Sequence, residues 1–478
     1  MTLNKKILAT AIVGGLFATA AQAQVVISAA TPVPVTFASE LVVPSAGLTL
    51  TNATNALDLT TALRYSFSAG EVRYARIECP SNIRFDAGSA VTGTGGATFG
   101  AINGLGTSVI TFSITAATGS PSPTNATTTI TVSGNRVITA ATGGACSYSL
   151  YDEPSQALAG GTAGRITTVS GNYLAFAQSY GLAVLNPHGA VANVEATPSF
   201  SRFVGAVPTN SVDRANLGTI VFDTRANVST ATGGTATQPR LANGVPATLA
   251  DLLAAGSSHT IAGDFSAAAN SDGTFTGAAA LARVYFSATP DCSAVTTSAS
   301  AVTATSARFD TGALPVNASL CYAPRAGVAI PVSTYAQTFT AVSANPTLYS
   351  VASIGPAALG SITRNGTSLQ APFVQVPAGW LSRVVLTNTG SVARPYTITA
   401  QTETGVTSTL GAAATGTIPA GGTIVLNTSD IATFTGSPRG TLNATIAGPN
   451  SQIQGLYQIV NGTTGSISNH VMVRPGSN

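Results

Sequence analysis

The chain has 478 residues, of which 44% are hydrophobic and only 8% charged, with 49 Gly, 25 Pro and a single Trp; ordinary globular domains carry about 25% charged residues. So much apolar residue excludes a disordered polyelectrolyte, and the lack of clustered Lys and Arg excludes a nucleic-acid partner. The polar surface must be built from Thr, Ser, Asn and Gln, and the abundance of Thr, Val, Gly and Pro favours strands and turns over helices.

Residues 1-23 read as a secretory signal peptide: Asn4-Lys5-Lys6, an apolar run from Ile7 to Phe17, then Ala21-Gln22-Ala23. Cleavage is expected between Ala23 and Gln24. The run is shorter than the roughly 20 apolar residues of a membrane span. Both lysines lie in this leader, which leaves 18 of the 20 basic residues, all Arg, facing 17 acids. An exterior so sparsely charged and nearly neutral gives little repulsion between copies and favours association.

From Gln24 to about Pro154, short bursts of alternating apolar and polar residues, such as Val33 to Phe37, Arg64 to Phe67, Val109 to Ile114 and Thr128 to Val132, are separated by Gly and Pro clusters. This is the pattern of an antiparallel sandwich or barrel. Asp152-Glu153-Pro154 followed by Gly160-Gly161 reads as a boundary, giving an N-terminal β-domain over 24-154. Residues 155-344 form a middle β-domain, with strands at Leu217 to Phe222, His259 to Phe265 and Ala280 to Phe286. It holds one short helix from Thr248 to Ala255, capped by Thr248 and stopped by Gly256. The Gly/Thr stretch from Ser229 to Thr237 reads as a flexible surface loop. Residues 345-478 give the clearest pattern, with runs at Trp380 to Asn388, Arg394 to Gln401, Thr423 to Asn427, Thr441 to Ile446, Ile453 to Asn461 and Ser466 to Arg474. Turn signals at that spacing predict an immunoglobulin-like β-sandwich. The fold class expected is all-β, with tandem antiparallel β-sandwich domains.

Four cysteines, Cys79, Cys146, Cys292 and Cys321, in an exported chain point to two disulfides. Four cysteines allow three pairings. A weak internal similarity selects one: Tyr65 to Ala69, Cys79, Arg84-Phe85-Asp86-Ala87-Gly88 and Cys146 recur in order as Val284 to Ala288, Cys292, Arg308-Phe309-Asp310-Thr311-Gly312 and Cys321. A duplication pairs Cys79 with Cys146 and Cys292 with Cys321. The alternative is that short motifs recur by chance in a chain of low complexity.

The segments Trp380 to Gly390, Ile418-Pro-Ala-Gly-Gly-Thr-Ile-Val-Leu426 and Leu456 to Gly462 resemble bacterial β-sandwich modules that carry a "strand, Asn-x-Gly, strand, Pro-Ala-Gly-Gly, strand" pattern in cell-surface proteins. In its composition the whole chain resembles bacterial surface-layer (S-layer) proteins: a leader, almost no Lys, abundant Thr, Ala and Gly, and tandem β-domains. It departs from several of them in having no acidic glycine-rich calcium repeats, no wall-binding repeats and no C-terminal sorting signal.

Signs of catalysis are few. The histidines, His188, His259 and His470, are scattered, and Ser258-His259 with Asp264 matches no hydrolase spacing. A carboxylate pair for glycoside hydrolysis is conceivable among the 17 acids, but with one Trp, Trp380, the aromatic platform for sugar is thin. The chain reads as no enzyme, with no metal site and no cofactor. If an ion is bound it is calcium, for which Asn270-Ser271-Asp272-Gly273 and Asp152-Glu153 are the local candidates, each short of a full loop; an Asx turn is the simpler reading of the first. The expected function is that of an exported structural protein that self-assembles into a layer on the surface of a Gram-negative bacterium. Its partners would be copies of itself and outer-membrane or cell-surface polysaccharide. The alternative is a secreted adhesin or fibre subunit that binds a glycan or host ligand through loops.

Overall fold

The computed structural model describes residues 24–205, 211–310 and 317–475. The leader, with Ala23, therefore lies outside the described residues, as do Thr311 and Gly312. Short strands predominate and helices are few, so the protein is all-β with several sandwich-like domains. Most strand pairs are antiparallel. Parallel pairs among the described residues include Val25–Val26 with Leu59–Ala62, Val35–Ala38 with Arg165–Ala177, and Gly189–Ala192 with Ile354–Arg364. The chain divides into two compact units, one of Met1–Gly181, Phe222–Ala255 and Ala341–Ala352, the other of Leu182–Val221, Gly256–Thr340 and Ser353–Asn478.

In the first unit the strand Val109–Thr115 shows how the sequence sets the fold. Its alternation buries Ile110, Phe112 and Ile114 and turns Thr111 and Ser113 outward. It belongs to a six-stranded sheet with Val72–Glu78, Gly144–Tyr151 and Arg165–Ala177 at its middle. Cys79 and Cys146 are joined by a disulfide between neighbouring strands of that sheet. Tyr148 and Tyr173 reach from it to the carbonyls of Leu63 and Leu57, which flank the strand Leu59–Ala62 of a four-stranded sheet. The boundary expected at 154 falls inside a hairpin, because Gly144–Tyr151 and Arg165–Ala177 are antiparallel neighbours. The residues that suggested a break are a helix start. Glu153 is the N-cap of Pro154–Ala159 in a capping box with Gln156, Pro154 occupies the first turn, and Gly160 with φ 75° ends it.

Arg136 is fully buried in this unit. Its Nη1 donates to the carbonyls of Gly134 and Asn135 at 2.8 and 2.9 Å, and Nη2 to those of Val132 and Leu57 at 3.0 and 3.2 Å. The guanidinium also lies over the rings of Phe85 and Tyr173, at 4.8 and 5.6 Å. Turns that would otherwise bury orphan carbonyls are thus held by one cation, since an unpaired buried acceptor costs about 1–3 kcal/mol.

The remaining parts of the first unit depart from the expected pattern in two places. The helix expected from Thr248 to Ala255 is only Leu249–Leu252, with Thr248 and Asp251 forming a capping box. It ends early because Leu253 bridges to Ser343 and Ala254 N–H donates to Val342. The stretch expected to be a loop from Ser229 begins inside the helix Arg225–Ala231.

The second unit contains two sandwiches. In the middle one, Leu217, Ile220, Val284, Phe286 and Leu320 from one sheet meet Ile261, Ala307, Phe309, Tyr335 and Ile362 from the other, with the Phe286 and Phe309 rings 4.4 Å apart. Cys292 is joined to Cys321 beside this core. The strand Ile354–Arg364 pairs with Ser333–Thr340, so the middle sheet runs past the boundary expected at 344. The C-terminal sandwich packs Thr367–Gln375, Arg439–Ile446, Arg394–Gln401 and Thr415–Ile418 against Gly422–Asn427, Trp380–Asn388, Ile453–Asn461 and Ile467–Val471, around Leu369, Val384, Leu386, Ile398, Leu442 and Ile453. Buried Asn388 explains the motif noted above. Its Nδ2 donates to Val392 and Pro419 carbonyls at 2.7 and 3.0 Å, and its Oδ1 accepts from Gly390 N–H. Gly421, at φ 57°, donates to Gly390 and closes the Pro-Ala-Gly-Gly loop onto the turn.

Two predictions follow from these interiors. Arg136→Met removes this donor from four carbonyls, of which that of Leu57 keeps the Tyr173 hydroxyl, and should lower the stability of the first unit by about 3 kcal/mol or more, read as a drop in the urea midpoint; an unchanged midpoint contradicts the role. In the middle sandwich His259 is buried, its Nδ1 accepting from Gln337 Nε2 at 2.6 Å with the Phe339 ring 4.9 Å away, and burial pushes its pKa down to about 4. The stabilisation from keeping this ring neutral is complete above about pH 6.5 and is lost as pH falls toward 4, on the order of 3 kcal/mol in all. The thermal midpoint should therefore fall over that window less steeply in His259→Leu than in the wild type; identical pH dependence would refute the assignment.

Candidate assembly surfaces

His259 lies in the core, and Asp264, its neighbour in sequence, accepts a hydrogen bond from Ser266 N–H at 2.8 Å. His470 is exposed on the strand Ile467–Val471, where its Nε2 bonds Ser468 Oγ at 2.9 Å. His188 is partly exposed in the turn before Gly189–Ala192, and burial of its ring lowers its pKa. Among the calcium candidates, Asp272 accepts from the N–H and hydroxyl of Thr274, an Asx turn that holds its carboxyl below the usual range. Asp152 pairs with Arg73 at 3.3 Å. Among the described residues no three His, Cys, Asp or Glu side chains gather as metal ligands would.

All 17 carboxylates fall within the described residues, and each has a partner in the chain. Glu71, Glu78, Asp152, Asp213, Asp310 and Glu403 form ion pairs with arginines, several with a neighbour two residues away on the same strand face. Glu40 is buried and accepts from the N–H and hydroxyl of Ser179 at 2.9 and 3.0 Å. Asp58, Asp86, Glu195, Asp223, Asp264, Asp272 and Asp430 accept from nearby amides or hydroxyls, and Glu153 and Asp251 cap helices. Hydrogen bonds from Thr289 and Ser293 hold Asp291 down to about 2. The arginines are less completely paired, and Arg64, Arg84 and Arg165 stand exposed without a side-chain partner among the described residues. Arg394 donates to Ser199 Oγ, and Arg240 to the Gly244 carbonyl. The charge that remains at the surface is largely cancelled locally.

Sheet faces with almost no charge are the result. The outer face of one C-terminal sheet carries the cross-strand rows Ser368–Thr445–Thr397–Thr415 and Gln370–Asn443–Thr399, with Gln370 Nε2 donating to Asn443 Oδ1 at 2.8 Å. On the other sheet the outer face carries Val425–Val385–Leu456–Val471 and Leu381–Val460–Ile467, flanking the row Asn427–Arg383–Gln458–Asn469. Val425, Ile467 and Val471 are 56%, 59% and 79% exposed, an unusual display for aliphatic side chains. In the first unit, Pro154–Ala159 lies over the six-stranded sheet beside a cleft of about 620 Å³ lined by Tyr74, Asn103, Thr111, Ser113, Ser155 and Leu158. The sequence shows six of these strands but neither Thr367–Gln375 nor Thr415–Ile418, and none of the rows, because which residues share a row depends on register between strands distant in the chain.

One comparison with known proteins bears on this structural surface, the family match. No curated protein matches the chain. Among solved structures, a membrane-anchored protein of Corynebacterium diphtheriae aligns at 8% identity over 87% of this chain and 84% of that one, with a TM-score of 0.18. The full-length RrgB pilus protein of Streptococcus pneumoniae aligns at 10% identity over 86% and 64%, with a TM-score of 0.11. Neither likeness is close enough to bear on the fold. The profile of the S-layer protein Slr4 family, by contrast, matches residues 48–456, most of the chain. The chain belongs to the S-layer protein Slr4 family and is a structural protein of the cell surface.

Proposed function

We propose that this protein is exported by its N-terminal leader, cleaved after Ala23, and self-assembles into a layer of like subunits outside a Gram-negative cell. The observation that carries this reading is the internal satisfaction of every carboxylate, on a chain whose family is that of an S-layer protein. A surface whose carboxylates already have partners gives up less hydration when another surface covers it, whereas burying free charges costs several kcal/mol per ion. Threonine, asparagine and glutamine rows can exchange water for like groups on a neighbour with modest loss. The function needs no reacting group, and the reading assigns no catalytic step and no cofactor.

A second partner is supported by the cleft beside Pro154–Ala159. Its lining carries two aromatic rings, those of Tyr74 and the buried Phe112, one amide, four hydroxyls counting that of Tyr74, and no charge. That chemistry suits a neutral polyhydroxylated chain, such as a cell-surface polysaccharide, whose sugar faces stack on aromatic rings. An adhesin role toward a foreign glycan would use the same lining.

Salt is the discriminating variable. If the contacts are uncharged, light scattering of the purified protein should report large assemblies that persist when ionic strength is raised from about 50 mM to about 500 mM, where ionic contacts between exposed groups are screened. Dissolution at the higher salt would contradict the proposed contact chemistry. A protein that stays monomeric at every concentration would remove the assembly reading itself.

A further inference from the structure

The strand Ile467–Val471 ends one sheet of the C-terminal sandwich, and among the described residues it pairs with only one neighbouring strand, Ile453–Asn461. Natural edge strands are guarded by Lys, Pro, bulges or a covering loop. Here all five residues are exposed, none is acidic, Lys, Arg or Pro, and the pairing with Ile453–Asn461 runs without a register shift.

The backbone directions can be read from the bonds at its two ends. Asn461 N–H donates to Ser466 O at 2.9 Å and Met472 N–H to Gly455 O at 3.0 Å, so the even-numbered residues face Ile453–Asn461. The odd-numbered residues therefore turn their N–H and C=O groups away. At Val473 these groups are taken by Gln370, in both directions, at 2.7 and 2.8 Å. At Ile467, Asn469 and Val471, among the described residues, they meet no backbone partner.

We propose that Ile467–Val471 is a homotypic assembly edge, pairing antiparallel with the same strand of a second copy about a two-fold axis at Asn469. The proposal rests on the self-assembly reading and supplies one of its contacts. The sequence Ile-Ser-Asn-His-Val has the symmetry that this axis requires: Ile467 falls opposite the second copy's Val471, Ser468 opposite its His470, and Asn469 opposite itself. All three odd positions become hydrogen-bonded pairs, which closes six backbone hydrogen bonds.

Side-chain rows give the second argument. The row Val425–Val385–Leu456–Val471 continues into Ile467–Val460–Leu381 of the second copy, and the converse row forms on the other side of the axis. Between them the two Asn469 side chains meet, each already bonded to its own Gln458 at 2.9 Å. The one charged side chain on this face, Arg383, is five strands from its counterpart, about 24 Å at the usual spacing, well beyond the roughly 8 Å over which salt leaves charges to interact. No like charges are forced together. A five-residue strand pair is only about 17 Å long and covers less than the roughly 1,200 Å² of a stable isolated complex. The contact is therefore weak alone and effective where other contacts hold the same copies in place.

Two variants of the purified protein test this. Asn469→Lys sets two ammonium groups face to face at the axis, and should raise the concentration for half-assembly at least about tenfold, while the thermal midpoint stays that of the wild type. Asn469→Cys brings two Cα atoms to about 5.5 Å in a hydrogen-bonded pair, inside disulfide range. Under mild oxidation of assembled material it should give a covalent dimer on a non-reducing gel, whereas Thr464→Cys, in the preceding turn, should not. If the wild type assembles but Asn469→Lys assembles equally well and Asn469→Cys yields no dimer, this edge is overturned and assembly by other contacts stands. A wild type that never assembles overturns both.

Discussion

A folded chain must find partners for its charges, and in this protein every carboxylate finds one within the chain. Arg136 gathers carbonyls that its own turns would leave bare; Glu40 is held by Ser179; Arg76 and Glu78, and Arg308 and Asp310, neutralise each other along single strands. Each arrangement is local and unremarkable in energy, since exposed pairs of this kind contribute at most about 1 kcal/mol. Their joint effect is on the exterior. Sheets whose outer faces carry Thr, Asn, Gln and a few aliphatic side chains have no strong field to keep copies apart, and little hydration to surrender when they meet.

This constraint also explains why the interior is so dependent on backbone satisfaction. With few long polar side chains available, turns are tied by short ones. Asn388 fastens its own turn and the Pro-Ala-Gly-Gly loop together, and Asp291 collects the hydroxyls of Thr289 and Ser293 next to the Cys292 to Cys321 bridge. Tyr148 and Tyr173 carry hydroxyls across a core to carbonyls on the facing side. The connections made by Asn388, Tyr148 and Tyr173 run through the interior and stiffen the sandwiches they join, whereas the Asp291 turn lies at the surface.

Much of the fold is legible in the sequence, and the reasons are physical. Alternation at Val109–Thr115 or Trp380–Asn388 reports directly which face is buried, because a strand has period two. Domain edges are less legible. Asp152-Glu153-Pro154 carries the signature of a break because a helix cap and a linker use the same residues. Likewise the run ending at Leu252 looks like a longer helix until Leu253 and Ala254 find strand-like partners ninety residues away. The candidate contact surfaces were the least legible. Val425, Val385, Leu456 and Val471 sit in four strands from three different parts of the C-terminal region, and only register sets them in one row.

Assembly requires that these nearly neutral surfaces meet one another on the cell. Electron cryo-tomography of intact envelopes, with and without the gene for this chain, addresses that most directly. A continuous periodic layer that is present in the first and missing in the second is the predicted result. Envelopes of identical profile, with the protein dispersed as separate particles, would contradict it.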